Sequence, residues 1–123
     1  MNAIRLVTTA AAALSALCTA GAHAQDVAAG RQAYAQCAAC HSIDGSPGVG
    51  PSLKGVVGRE AGSAPGFRFS RAMKGAGYPW DARKLDAYIA NPQNAVPGNV
   101  MPYAGLDDAK QRADLVAYLA SLK

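Results

Sequence analysis

The sequence predicts an all-α fold in which a few short helices are joined by long loops. Three observations carry that prediction. Apolar residues recur at helical spacing near residues 27–38, 82–91 and 107–123. Strand-like alternation is absent throughout. Two stretches, 43–66 and 92–102, are dense in glycine, proline and small polar residues, which is turn chemistry. The first is too long to be a bare connection in a compact domain, so it is expected either to be disordered or to wrap something. The helices also offer few core residues for a domain of roughly 99 residues, as if the middle were reserved.

The first 24 residues are set apart from this domain. Arg5 gives a positive start, and an apolar run from Ala10 to Ala20 is broken only by Ser15 and Thr19. It ends in Ala22-His23-Ala24, a small-x-small cleavage pattern. This reads as a secretory signal peptide over residues 1–24, with a mature chain over 25–123 exported to a bacterial periplasm. The run is too short for a comfortable transmembrane helix, and no membrane anchor is expected. Cys18 follows Leu17, where a lipid-anchoring leader would want a small residue, so it is read as part of the apolar run. The mature chain then keeps Cys37 and Cys40.

The helices have start and stop signals. Asp26 is expected to cap a helix running to about Ala38, with Val27, Gly30, Tyr34 and Cys37 on one face. Gly30 inside it suggests close approach of another helix. Ser70–Gly75 reads as a helical turn or two. Asp81 caps a helix over Ala82–Asn91, striped by Leu85, Tyr88 and Ile89 and ended by Pro92. The last helix starts at Asp107 or Asp108 and carries Leu115, Val116, Leu119 and Leu122, with Lys123 at its negative end.

Charge excludes one class of partner. Arg5 leaves with the leader, so eleven Lys and Arg remain against eight Asp and Glu, a net charge of +3. The basic residues are scattered, which is a solvated surface and not a nucleic-acid footprint.

The chemistry is concentrated in Cys37-Ala38-Ala39-Cys40-His41. A structural zinc site needs four Cys or His ligands, and only these three remain once His23 is removed. A redox dithiol wants a β-α-β setting and a helix N-terminus, whereas this pair ends a helix in an all-α chain. The third reading is c-type haem attachment. Two intervening residues let both sulfurs reach the vinyl groups on one edge of a porphyrin, and the adjoining histidine turns under the ring to the iron. A soft sixth ligand would support that reading. Met101 stands in Pro97-Gly98-Asn99-Val100-Met101-Pro102, a polar loop fixed by glycine and proline and not a helical stripe.

With these residues in hand, the chain from Gly30 to Leu119 resembles the class I cytochromes c of mitochondrial and α-proteobacterial type. The resemblance extends well beyond the attachment motif. Gly50-Pro51-Ser52-Leu53-Lys54-Gly55-Val56-Val57-Gly58-Arg59 is similar to the family's GPxLxGxxGR segment. Ala64-Pro65-Gly66-Phe67, Trp80, Tyr88-Ile89-Ala90-Asn91-Pro92, Pro97–Met101 and Asp114–Leu119 follow at family spacing. The resemblance implies a cytochrome c fold whose terminal helices cross at Gly30, Tyr34, Leu115 and Tyr118 and whose loops wrap one covalent haem c. It implies thioethers at Cys37 and Cys40, and iron ligation by His41 and Met101. The Pro51 carbonyl would orient His41. Arg59, Trp80 and Asn99 would hold the haem propionates, and Tyr88 would place its hydroxyl near the Met101 sulfur.

The sequence also departs from the family. Phe69 stands where a propionate-binding tyrosine is usual, although Ser70 beside it can donate. Met73 replaces an internal asparagine and is read as apolar filler. Gln36, Gln93, Asn94, Val100, Asp107 and Asp108 occupy positions where the family carries docking lysines. A smaller, more apolar patch including Ala38, Val100 and Pro102 is therefore expected to meet the redox partners. The function implied is a monomeric, exported one-electron carrier and not an enzyme. Two alternatives stay open: a subunit held permanently by a periplasmic dehydrogenase, and a haem enzyme or sensor with an open coordination site. Met101, and the lack of any mature histidine besides His41, weigh against the latter.

Overall fold

A computed structural model describes residues 24–123. The leader assigned to residues 1–24 lies, except for Ala24, outside the described residues. The described chain is helical: α1 (Val27–Ala33), followed by a 3₁₀ turn (Tyr34–Gln36), then α2 (Arg71–Lys74), α3 (Ala82–Ala90), α4 (Pro92–Ala95) and α5 (Ala109–Ala120). Among the described residues there is no strand, only an isolated bridge between Glu60 and Pro79. None of their helices is long and apolar enough to cross a membrane.

Side-chain caps set the helix starts. Asp26 accepts from Ala29 N–H, Ser70 from Met73, Asp81 from Lys84 and Asp108 from Gln111. The first helix is shorter than its periodicity predicts. It tightens into the 3₁₀ turn after Ala33 and then into turns through Cys40, held by Cys37 and Ala38 N–H groups on the Tyr34 carbonyl. Val27, on the expected apolar face, is 46% exposed. Pro92 ends α3 as expected but also begins α4, because Asn91 caps a new turn through Asn94 N–H. The 92–102 stretch is thus partly helical.

The termini meet at a close crossing of α1 and α5. A Cβ on Gly30 would lie 1.9 Å from the Asp114 carbonyl oxygen and 2.8 Å from Tyr118 Cβ. Asp114 is buried, accepting from Asp26 N–H at 2.8 Å and from Lys110 Nζ at 2.6 Å. The Lys110 ammonium, and then Asp26 N–H, hold its carboxyl below the usual range. Tyr34 and Tyr118 rings pack at 5.5 Å beside the crossing. On the other side, Arg112 pairs with Asp86 at 2.9 Å and donates to the carbonyls of Leu106 and Asp107, tying α5 to α3 and the preceding loop.

The long first loop is ordered by backbone hydrogen bonds to its surroundings. Gly50 N–H donates to Cys40, Gly55 to Leu122, Gly58 to Trp80 and Ala61 to Tyr78. The buried core comprises Tyr34, Val56, Met73, Trp80, Leu85, Tyr88, Val96, Leu115, Val116 and Leu119 among others. Most of these residues also face a shared cavity.

The crossing yields a test. Gly30→Ala is expected to cost about 1–3 kcal/mol by overpacking, outweighing the ~1 kcal/mol by which alanine favours a helix. Equilibrium denaturation would measure it. An unchanged midpoint would mean that the helices part freely and the close approach is incidental.

Candidate cofactor site

The cavity measures about 270 Å³ and is lined almost entirely by carbon. Its lining draws on both long loops and on the inward faces of α3 and α5. Met73 comes from α2, Leu85 from α3, Leu115 and Leu119 from α5, and Val56 and Trp80 from the connecting segments.

Cys37, Cys40 and His41 reach the cavity where the 3₁₀ turn unwinds. Both thiols are free, Cys37 half-buried and Cys40 exposed. Burial, and secondarily Cys40, push the Cys37 thiol up, the opposite of what a redox-active dithiol requires. Among the described residues no three His, Cys, Asp or Glu side chains form a group able to hold a metal ion by themselves.

His41 is held at three points. Its carbonyl accepts from the Tyr34 hydroxyl, its N–H donates to the Cys37 carbonyl at 3.0 Å, and its Nδ1 lies 2.7 Å from the Pro51 carbonyl. A carbonyl can only accept, so Nδ1 carries the proton. In the neutral ring the lone pair is then on Nε2, the nitrogen left for a metal. Gly50 makes this bond possible, since a Cβ there would lie 2.7 Å from His41 Cε1 and 2.9 Å from Nδ1.

Met101 also lines the cavity, on a strap (residues 97–106) organised by Asn99. Asn99 Nδ2 donates to the Pro92 and Val96 carbonyls at 2.8 and 2.9 Å, and its Oδ1 accepts Met101 N–H at 3.0 Å. The structure therefore gives Asn99 a different set of partners from the propionate contact expected of it. Both amide hydrogens are engaged by the carbonyls at the two ends of α4. Tyr88 is buried, its hydroxyl 3.4 Å from Asn99 Oδ1 and 3.9 Å from Met101 Sδ. Desolvation, then the Tyr78 phenol, pushes Tyr88 up to about 12, so it stays a neutral donor.

Arg59 and Trp80 both line the cavity, joined through their backbones at 2.9 Å. The half-buried Arg59 guanidinium donates to the carbonyls of Ser52 (2.9 Å) and Lys54 (3.1 Å). Burial lowers its pKa. The ion pairs among the described residues are Lys110–Asp114 and Arg112–Asp86, so Arg59 has no carboxylate partner. Phe69 lies edge-on to Phe67 and can only pack, while Ser70 caps α2 and keeps a hydroxyl proton to donate.

These residues fit a haem. The lining is apolar, two thiols stand at vinyl spacing, and an imidazole presents a free Nε2. A thioether sits on the strap, and the half-buried Arg59 cation lacks an anion such as a propionate. Sequence reasoning found each of these groups. It did not find Tyr34 on the His41 carbonyl, the steric role of Gly50, or a hydrogen bond from Tyr103 to Gln36 at the mouth. Of the three, only Gly50 left a trace in the sequence, as the first residue of the Gly-Pro motif.

The family model for cytochrome c matches residues 27–123. Cytochrome c2 of Rhodomicrobium vannielii is 46% identical over 100 residues, 80% of either chain. Cytochrome c of Tetrahymena pyriformis is 46% identical over 98 residues, 79% of this chain and 89% of that one. Among solved structures, cytochrome cH from Methylobacterium extorquens superposes with a TM-score of 0.74 at 47% identity, covering 76% of this chain and 96% of the other. The chain belongs to the cytochrome c family, whose members are electron carriers, not enzymes, built around a covalently attached haem c.

Proposed function

We propose that this chain is an exported electron carrier whose haem is bound through Cys37 and Cys40 and ligated by His41 and Met101. The observation that carries the ligand assignment is the His41 Nδ1–Pro51 bond, which commits Nδ1 and leaves Nε2 as the ring nitrogen available to a metal in a cavity that Met101 shares. Haem iron supplies the one-electron couple, and thioether ligation favours its reduced state. The protein's own residues do the rest. Pro51 fixes the imidazole, and Asn99 fixes the Met101 backbone. Tyr88 holds its hydroxyl beside the thioether, and Arg59 and Ser70 offer donors to the propionates. Trp80 packs against Tyr88 at 5.2 Å and lines the same side.

The mouth of the cavity supports the partner chemistry. Val49 and Val100 are 76% and 69% exposed there, and Cys40 and Pro102 are exposed beside them. The only ionisable side chains in the lining are His41, Arg59, the two thiols and the tyrosines. The protein works as a monomer in the periplasm and meets its redox partners through this uncharged patch. Hydrophobic contact, not steering, brings them together.

Three measurements test this reading. Met101→Ala is expected to abolish the far-red sulfur–iron band of the ferric protein, lower the reduction potential and admit azide or imidazole. A variant that kept the wild-type band and potential would remove Met101 as a ligand. Electron exchange with a protein partner is expected to change less than about twofold between low and physiological ionic strength, and a steep fall with salt would contradict the uncharged patch. Mass spectrometry of the exported protein is expected to find Gln25 as the first residue, and an intact or lipid-bearing leader would overturn the export assignment.

A further inference from the structure

The Met101 strap is anchored unevenly. On one side it is tied to α3 and α4: Asn99 to Pro92 and Val96, Gln93 Nε2 to the Asn99 carbonyl at 2.9 Å, and Leu106 N–H to Ile89 at 2.9 Å. Across the mouth, among the described residues, one hydrogen bond joins the strap to the segment that carries the cysteines. The Tyr103 hydroxyl donates to Gln36 Oε1 at 2.6 Å, between residues 67 apart in sequence. Gln36 ends the 3₁₀ turn and adjoins Cys37. Tyr103 is two residues from Met101, and its N–H closes a tight turn onto the Met101 carbonyl at 2.9 Å. Pro102 lies between them and stiffens that turn. The position of the phenol is thus transmitted to the backbone of Met101.

We propose that the Tyr103–Gln36 hydrogen bond is a clasp that holds the Met101 strap closed over the cavity, which makes both side chains positioning residues for the thioether. The inference rests on Met101 being an iron ligand, as proposed above. The clasp acts in parallel with the iron–sulfur bond. When the thioether leaves the iron, a strap still clasped at its far end keeps the sulfur at high effective concentration, and it returns before another ligand enters. Without the clasp, the strap is free to swing about its α3–α4 anchors. A neutral hydrogen bond of this kind corresponds to roughly a twofold to tenfold change in the population of the open strap.

The test uses the ferric holoprotein and four variants: Tyr103→Phe, Gln36→Leu, the two combined, and Gln36→Glu. Imidazole entry at saturating ligand, followed by loss of the far-red band, reports strap opening. Amide hydrogen exchange at Met101 and Tyr103, whose N–H groups donate to Asn99 Oδ1 and the Met101 carbonyl, reports the same opening without reference to the iron. Each single variant is expected to speed both about twofold to tenfold, and the double variant no further, because one bond is lost in all three. Gln36→Glu keeps an acceptor oxygen and is expected to stay near wild type. Unchanged rates in Tyr103→Phe, which retains the ring and its packing, would overturn the clasp, as would effects that multiply in the double variant. If the wild-type protein lacks the far-red band, the Met101 assignment falls separately. Hydrogen exchange then decides alone whether this bond closes the strap.

Discussion

The crossing of α1 and α5 is the constraint on which the rest of the structure depends. Gly30 lets the two backbones touch, and Asp114 locks the contact by accepting Asp26 N–H while Lys110 neutralises it. Both helices run from that point directly into the site. α1 tightens into the turn that delivers Cys37, Cys40 and His41. α5 turns Leu115 and Leu119 into the cavity. A shift of the crossing would therefore move the imidazole relative to the apolar surface it faces, without touching any residue in the lining.

That arrangement gives a core with a hollow centre. A domain of this size buries a modest share of its surface, roughly 60–70%, and here much of its apolar inventory lines a cavity as well as packing on itself. Val56, Met73, Trp80, Leu85, Tyr88, Leu115 and Leu119 belong both to the core and to the lining. Cofactor binding and folding are then one problem, because the haem supplies the apolar contacts these side chains lack. Covalent attachment suits such a fold, since it keeps the filler in place when the loops open.

The sequence made most of this legible, for identifiable reasons. Capping residues at Asp26, Ser70, Asp81 and Asp108 mark helix starts because one short side chain both signals and makes the cap. Gly30 signalled a close approach because glycine inside a helix is costly unless space demands it. The attachment motif was legible because vinyl spacing is written in adjacent residues. The 3₁₀ turn after Ala33 was not, because the apolar spacing runs on past Ala33 while the backbone tightens onto the Tyr34 carbonyl. The α4 turn was hidden because Pro92 signals an end and a beginning equally well. Asn99 shows the sharper limit. Its presence near the cofactor followed from the motif, but the use of its four hydrogen-bonding sites depended on where Pro92, Val96 and Met101 came to lie.

Asn99 also shows how a protein with so little regular structure holds a site rigidly. In a helical bundle, backbone hydrogen bonds fix the elements and side chains are free for function. Here the loops that carry His41 and Met101 have no ladder, so side chains and isolated carbonyls do that work. Ser52 gathers Gly45 and Lys54, Pro51 holds His41, Arg59 spans Ser52 and Lys54, and Asn99 spans Pro92, Val96 and Met101. Among the described residues no buried side-chain polar atom is left without a partner. Polar groups are thus largely committed to shaping loops, while Arg59, Ser70, Trp80 and Tyr88 retain capacity toward the cavity. Phe69 and Met73 fit this division, for at their positions the loops are already fixed by the α2 cap and the packing of Phe67. The interior can then be made more apolar without loosening the frame that holds His41 and Met101.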